Sequence, residues 1–172
     1  MTRSVLLVDP IGDRRVRLAT RLQEFGHAIV GSTSEEEEAI RLATATSPDV
    51  TIMPAALGLR GKGGLPGRLC SAHRVPSVVI AEEGSAVPDE AVADTPGVMG
   101  VMTESIDAGT LSAILEVAVR RFRDLHALQG EVEQLRQTLE ARKVIERAKG
   151  FLMEAGRLTE REAYARMRRK SM

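Results

Sequence analysis

Up to about residue 106 the chain alternates short apolar runs with stretches whose apolar residues recur at helical spacing. Ser4-Val-Leu-Leu-Val-Asp9 is rich in β-branched residues and leucine and is halted by Pro10 and Gly12, which predicts a buried strand. Val16, Leu18, Ala19, Leu22 and Phe25 then predict a helix over 14–25, with Gly26 placed to end it. The same reasoning gives strands at 27–31, 49–53, 75–80 and 97–102, with weaker helical segments between the later ones. Ser34 with Glu37 has capping-box form, so Glu35 to Glu38 suit the positive end of a helix reaching about Thr46. Short strands alternating with helices predict an α/β fold, a doubly wound five-stranded parallel sheet covered on both faces. Gly58–Gly67 (GLRGKGGLPG) has five glycines in ten residues and is expected to be a mobile loop. Its Gly61-Lys62-Gly63 lacks the spacing and the following Ser or Thr of a phosphate-cradling P-loop.

Beyond Ile106 the strand signals stop and the pattern becomes helical. Leu111, Ile114, Leu115, Ala118 and Phe122 mark one face, and Leu125, Leu128, Val132, Leu135 and Leu139 follow in alternating steps of three and four. These last five form a heptad seam, flanked by Glu131 and Arg136 at positions that pair between parallel helices, so they are expected to hold a homodimer. Packing of the stripe on the chain's own first domain is the alternative. Val144, Ile145, Ala148, Leu152 and Met153 continue a helical face that Gly156 is placed to close. Thr159 with Glu162 is a second capping box, launching a last helix on which Ala163, Tyr164 and Met167 are expected to pack back on the preceding one.

Composition removes several function classes. One cysteine, Cys70, forms no internal disulfide, and no Cys/His cluster has zinc-ligand spacing. No apolar run approaches the ~20 residues that span a bilayer, and the amino terminus is unlike a signal peptide, so a cytoplasmic protein without membrane contact is expected. Three Phe, one Tyr and no Trp are too few for an aromatic platform on single-stranded nucleic acid. The 24 basic and 24 acidic residues balance, but not locally. Residues 1–117 carry 10 basic and 16 acidic side chains, net −6, and residues 118–172 carry 14 and 8, net +6. Such a split suggests an acidic module joined to one that meets a polyanion or an acidic partner.

Strand order and lengths over 1–120 resemble the response-regulator receiver domain. That resemblance implies a flavodoxin-like fold and a site in which an acidic pair after strand one binds magnesium, an aspartate ending strand three takes a phosphoryl group, a Ser or Thr ends strand four and a Lys ends strand five. Residue by residue the chain departs from it: Asp9 is followed by Pro10, Pro54 stands at the phosphoacceptor position, Ala81 at the Ser/Thr position and Glu104 at the Lys position. The domain therefore reads as a pseudo-receiver with no phosphoacceptor, no metal site and no cofactor. Asp9 reads as a strand-end or helix-capping carboxylate, and Asp49 lies a strand's length from the site.

Residues 141–172 carry a second resemblance. Ala141-Arg-Lys-x-Ile145-Glu-x-Ala148-Lys-Gly-x-Leu152-Met, Thr159-Glu-x-Glu162-Ala-Tyr164 and Met167-Arg-Arg-x-Ser-Met172 are similar to the ANTAR domain of AmiR- and NasT-type transcription antitermination regulators. The resemblance implies 1–120 as pseudo-receiver, 121–140 as coiled-coil dimerisation helix and 141–172 as an RNA-binding module whose third helix is expected to be missing. It implies a non-enzymatic regulator that binds hairpins of a leader transcript as a dimer, through Arg142, Lys143, Lys149, Arg168, Arg169 and Lys170, and permits a ligand-sensing partner protein as its input. A dimeric pseudo-receiver that docks proteins through a basic tail, without RNA, is the alternative.

Overall fold

The computed structural model describes residues 2–170. In it, β1 (Ser4–Val8) sends Val5 and Leu7 to one face of a sheet and Leu6 and Val8 to the other, and all four are fully buried. A strand apolar on both sides needs cover on both sides. β2 (Ala28–Thr33), β3 (Val50–Pro54), β4 (Ser77–Ala81) and β5 (Val98–Thr103) complete an all-parallel sheet in the order β2-β1-β3-β4-β5. On one face Leu18 and Leu22 of α1 (Gly12–Glu24) join Leu111, Leu115 and Val119 of α6 (Ala108–Gly156). On the other, Ala39 and Ala43 of α2 (Glu36–Thr46) join Leu65 and Leu69 of α4 (Leu65–His73). Short helices α3 (Ala55–Gly58) and α5 (Asp89–Ala93) follow β3 and β4, and α7 (Glu160–Lys170) is last. The expected doubly wound parallel sheet followed by a long helix is the fold of this chain. Two units divide between Asp124 and Leu125, and α6 contributes residues to each.

Three local expectations are corrected. Gly58–Gly67 is not a loop throughout: it holds the end of α3, a 3-10 turn at Gly61–Gly63 and the first turn of α4, where Pro66 suits the donor-free start of a helix. A Cβ at Gly67 would lie 2.5 Å from the Lys62 carbonyl oxygen, so this glycine serves close packing. The Ser34–Glu37 capping box does not form. The N-cap residue is Glu35, without a side-chain capping bond, and Thr33 Oγ1 instead accepts the Glu35 N–H at 3.1 Å and donates to the Glu38 carboxylate at 2.7 Å. Gly156 is the last residue of α6, as expected, but the left-handed position falls on Arg157 (φ 49°) rather than on the glycine, and a Cβ at 156 would lie 3.1 Å from Leu158 Cγ. Gly26 does end α1 with φ 82°.

Polar groups collect at the end of the sheet where β1 and β3 begin. Arg3 donates to Glu116 of α6 (Nε 3.1 Å, Nη2 2.5 Å) and reaches Asp49 at 3.5 Å, while Asp49 also accepts the Ser4 N–H and O–H at 3.0 Å and Arg123 at 3.2 Å. Burial works to raise the Asp49 pKa, but the Ser4 hydrogen bonds and the two arginines outweigh it and hold the carboxyl low. His27 is buried beside this network, its Nδ1 accepting the Arg3 N–H at 3.4 Å and its Nε2 within 3.2 Å of Ser112 Oγ. Burial first, then the positive amino terminus and Arg3, lower its pKa. Between the unfolded value of about 6.5 and the lower folded one, only the unfolded state is protonated, so stability falls as pH is lowered through that window, by up to about 1.4 kcal/mol per pH unit. Chemical denaturation at pH 7 and pH 5 should show this loss, and His27→Gln should diminish it. A slope unchanged by the substitution would mean that the imidazole is not the group involved.

Candidate functional site

The strand ends at which ligands bind in doubly wound sheets are those at the point where the winding reverses, here between β1 and β3. Asp9, one residue past β1, has no solvent exposure. Its carboxylate accepts the N–H of Ile11, the residue capping α1, at 2.8 Å. It also accepts two bonds from the Arg14 guanidinium, Nε to Oδ2 at 2.6 Å and Nη2 to Oδ1 at 3.0 Å. Pro10 turns the chain into α1, whose first turns carry Arg14 back over the strand end. Asp9 raises the Arg14 pKa, mainly through its hydrogen bonds, against the effect of burial, and the nearby charges of Glu104 and Glu82 add to it. Arg15 donates in addition to the Asp9 carbonyl.

The other degenerate positions surround this pair. Pro54 closes β3 in register with Ile80, and Ala81 closes β4 in register with Thr103. Glu104, just past β5, accepts Arg17 Nη2 at 3.0 Å. The backbone carbonyls of Glu104 and Ile106 accept the Arg21 guanidinium, which also lies 5.5 Å from the Phe25 ring centroid. The signs of an ordinary receiver site are thus exchanged, with cations on α1 and an acid after β5. Sequence reasoning passed over Arg14, Arg17 and Arg21. The signal available was the Asp13-Arg-Arg-Val-Arg17 run directly after the acidic strand end, read against the reversed charge at Glu104. A cavity of about 610 Å³, with Pro10, Pro54, Leu57, Ile80, Ala81 and Val87 among its walls, opens over the ends of β1, β3 and β4.

In the second unit, Thr159 and Glu162 cap α7 as expected: the Glu162 carboxylate accepts the Thr159 N–H at 2.9 Å and its O–H at 2.7 Å. Those bonds hold the Glu162 pKa low. Ala163 is fully buried and Met167 half-buried, whereas Tyr164 is 59% exposed, so packing of its ring on the preceding helix is corrected. The basic residues separate into two kinds. Lys149 ion-pairs with Glu146 at 2.7 Å and with Glu160 of α7 at 2.9 Å, and little of its side chain meets solvent. Arg142, Lys143 and Arg168 are exposed, Lys143 pairing with Glu140 at 2.7 Å. The side chains of Arg169 and Lys170, and the motif residues Ser171 and Met172, lie outside the described residues. Leu125, Leu128, Val132, Leu135 and Leu139 are all exposed. Among the described residues no group of three or more His, Cys, Asp or Glu could hold a metal ion, and no helix is long and apolar enough to cross a membrane.

Known proteins with similar sequence or fold fit both halves. Residues 133–172 match the ANTAR domain family. The transcriptional regulatory protein PdtaR of Mycobacterium tuberculosis, in strains CDC 1551 and H37Rv, is 34% identical over 170 residues, spanning 99% of this chain and 82% of that protein. The signal receiver domain of a modulated diguanylate cyclase from Desulfovibrio desulfuricans G20 superposes with a TM-score of 0.58 at 22% identity, over 72% of this chain and 98% of that one. NtrX from Brucella abortus gives 0.59 at 22% identity, over 87% of this chain and 35% of its own. A receiver domain protein from Clostridium thermocellum gives 0.54 at 18%, over 73% and 99%.

Proposed function

This chain belongs to the ANTAR-domain transcriptional regulators, and from that premise we propose that it is a dimeric RNA-binding antitermination regulator whose receiver-like domain accepts no phosphoryl group. The observation that carries the reading is the combination, in one family member, of exposed cations in the ANTAR region with a receiver site saturated by its own arginine. Phosphoryl transfer needs carboxylates free to hold a metal and a carboxylate to attack. Pro54 supplies no nucleophile, and Asp9 is already bound by Arg14. Input therefore comes through binding at the domain, from a small molecule or a partner protein, rather than through a phosphoryl group.

Residues 121–140 act as the dimerisation segment. The five exposed apolar side chains form a seam that a second copy in parallel register would cover, removing apolar surface at about 25 cal/mol per Å². Residues 141–172 then bring two basic faces to one RNA, which suits recognition of paired hairpins by charge and shape. Sedimentation of Leu128→Asp should give monomer, and a dimer that survives would discredit the seam.

Titration of a two-hairpin leader RNA, with duplex DNA as control and salt varied, tests the function. Tight, salt-sensitive binding of the RNA alone is expected. Absence of binding at low salt would leave the protein-docking role of the basic tail as the better reading. Incubation with acetyl phosphate and magnesium should leave the intact mass unchanged, and a phosphoryl adduct would refute the pseudo-receiver assignment.

A further inference from the structure

We propose that the cavity over the ends of β1, β3 and β4 is a binding site for a small amphipathic monocarboxylate, its apolar body in the cavity and its carboxylate at Arg60. The proposal rests on the reading that this domain is not phosphorylated and names the class of ligand that would replace phosphate as its input. The cavity's place is that of ligand sites in doubly wound sheets, and its volume of about 610 Å³ falls in the ~300–1,000 Å³ range of small-molecule pockets.

Chemistry of the walls selects the ligand. The three positions that would present polar groups in a phosphorylated receiver, Pro10, Pro54 and Ala81, are aliphatic, and Leu57, Leu59 and Val87 extend the apolar lining. Water held there finds few hydrogen-bond partners, so an apolar body gains by displacing it. Two cations line the cavity. Arg14 is neutralised by the buried Asp9 carboxylate. Arg60 is different: its side chain is 58% exposed, its Nε donates to the Ala56 carbonyl at 3.2 Å, and its Nη1 meets Glu36 at 3.1 Å. An exposed pair of this kind is worth about 1 kcal/mol or less and is readily exchanged. Glu36 also lies 4.0 Å from Arg68, so it keeps a cation when Arg60 turns to a ligand. One exchangeable guanidinium suits one carboxylate, and Glu82 in the lining disfavours a second negative charge. A phosphate or other compact dianion would leave the apolar volume empty.

The test is an amide chemical-shift titration of the full chain with three probes. These are 4-phenylbutyrate, the uncharged 4-phenylbutanol with the same body, and butyrate, which keeps the head without the ring. Saturable shifts at Ala81, Val87 and Ala91 are expected with phenylbutyrate, with affinity about tenfold weaker for the alcohol and for butyrate. Arg60→Gln should bring phenylbutyrate down to the level of the alcohol. Filling the cavity with Ala81→Phe or with Ala91→Phe, the latter at a half-buried position of α5, should abolish the shifts, and the second variant serves if the first does not fold. Lack of saturable shifts, equal affinity for acid and alcohol, or binding that survives Ala91→Phe would overturn the proposal. The acetyl phosphate experiment reads phosphorylation without any ligand, so failure of one reading is distinguishable from failure of the other.

Discussion

Arg14→Ala is expected to destabilise the first unit by about 3–5 kcal/mol, the size of effect seen when one partner of a buried ion pair is removed. Asp9 has no solvent exposure and its carboxylate would be left with only the Ile11 N–H as partner, while the Arg14 side chain is itself largely buried. The magnitude follows from the asymmetry between losing a pair and losing one member of it. Asp9→Asn with Arg14 retained should cost less, because Arg14 can turn to solvent whereas Asp9 cannot. The double variant Asp9→Leu with Arg14→Met, apolar on both sides, should recover much of the stability lost in Arg14→Ala. Urea denaturation of the four proteins checks the series. If Arg14→Ala unfolds at the wild-type midpoint, the pair is not what closes this site, and the proposal that Arg14 occupies Asp9 in place of a metal fails with it.

RNA affinity of the full chain should fall by orders of magnitude between about 50 and 200 mM salt, with a slope that counts the phosphates neutralised. Exposure separates the basic side chains that the proposed RNA interface would use from those it would not. Arg142→Gln and Lys143→Gln should each lower the log–log slope by about 0.7–0.9 and weaken binding of every hairpin alike. Lys143 has only an exposed partner three residues away in Glu140, a weak pair that phosphate can replace. Lys149 lies between Glu146 and Glu160, and both carboxylates raise its pKa through hydrogen bonds. Lys149→Gln should therefore loosen α7 from the end of α6, lowering thermal stability of the second unit while leaving the salt slope nearly unchanged. Filter-binding titrations across salt, beside thermal unfolding, separate the two roles. A slope lost equally at Lys149 would place that ammonium on the RNA rather than in the helical hairpin.

Much of this molecule is written in local pattern. The period-2 burial of Val5, Leu6, Leu7 and Val8 follows from a short apolar run ended by Pro10, and the Thr159–Glu162 cap from two residue types at the right separation. Substitutions at Pro54, Ala81 and Glu104 are visible once strand ends are placed, because each falls one or two residues from a break in the pattern. Elsewhere local signals competed and packing decided. Glycine content in 58–67 suggested a loop, yet Leu65 and Leu69 find a buried face against α2 and the sheet, and a helix forms where glycine permits close approach. Thr33 rather than Ser34 makes the side-chain bonds ahead of α2, since the sheet fixes where β2 stops and Glu35 is the residue that enters the helix.

Sequence alone determined the order of the strands, the residue types at their ends and the sign of each half, because these depend on residue type and near-neighbour spacing. Tertiary structure decided what surrounds the strand ends. The meeting of Arg17 and Arg21 of α1 with Glu104 after β5, and the cavity beside it, join segments far apart in the chain, whereas the Arg14–Asp9 pair spans five residues and depends on α1 turning back over the end of β1. The balanced charge of 24 against 24 concealed that arrangement, as it does the sequestering of Lys149. A charge count records how many ions a chain carries, whereas burial and partner decide which of them remain able to meet another molecule.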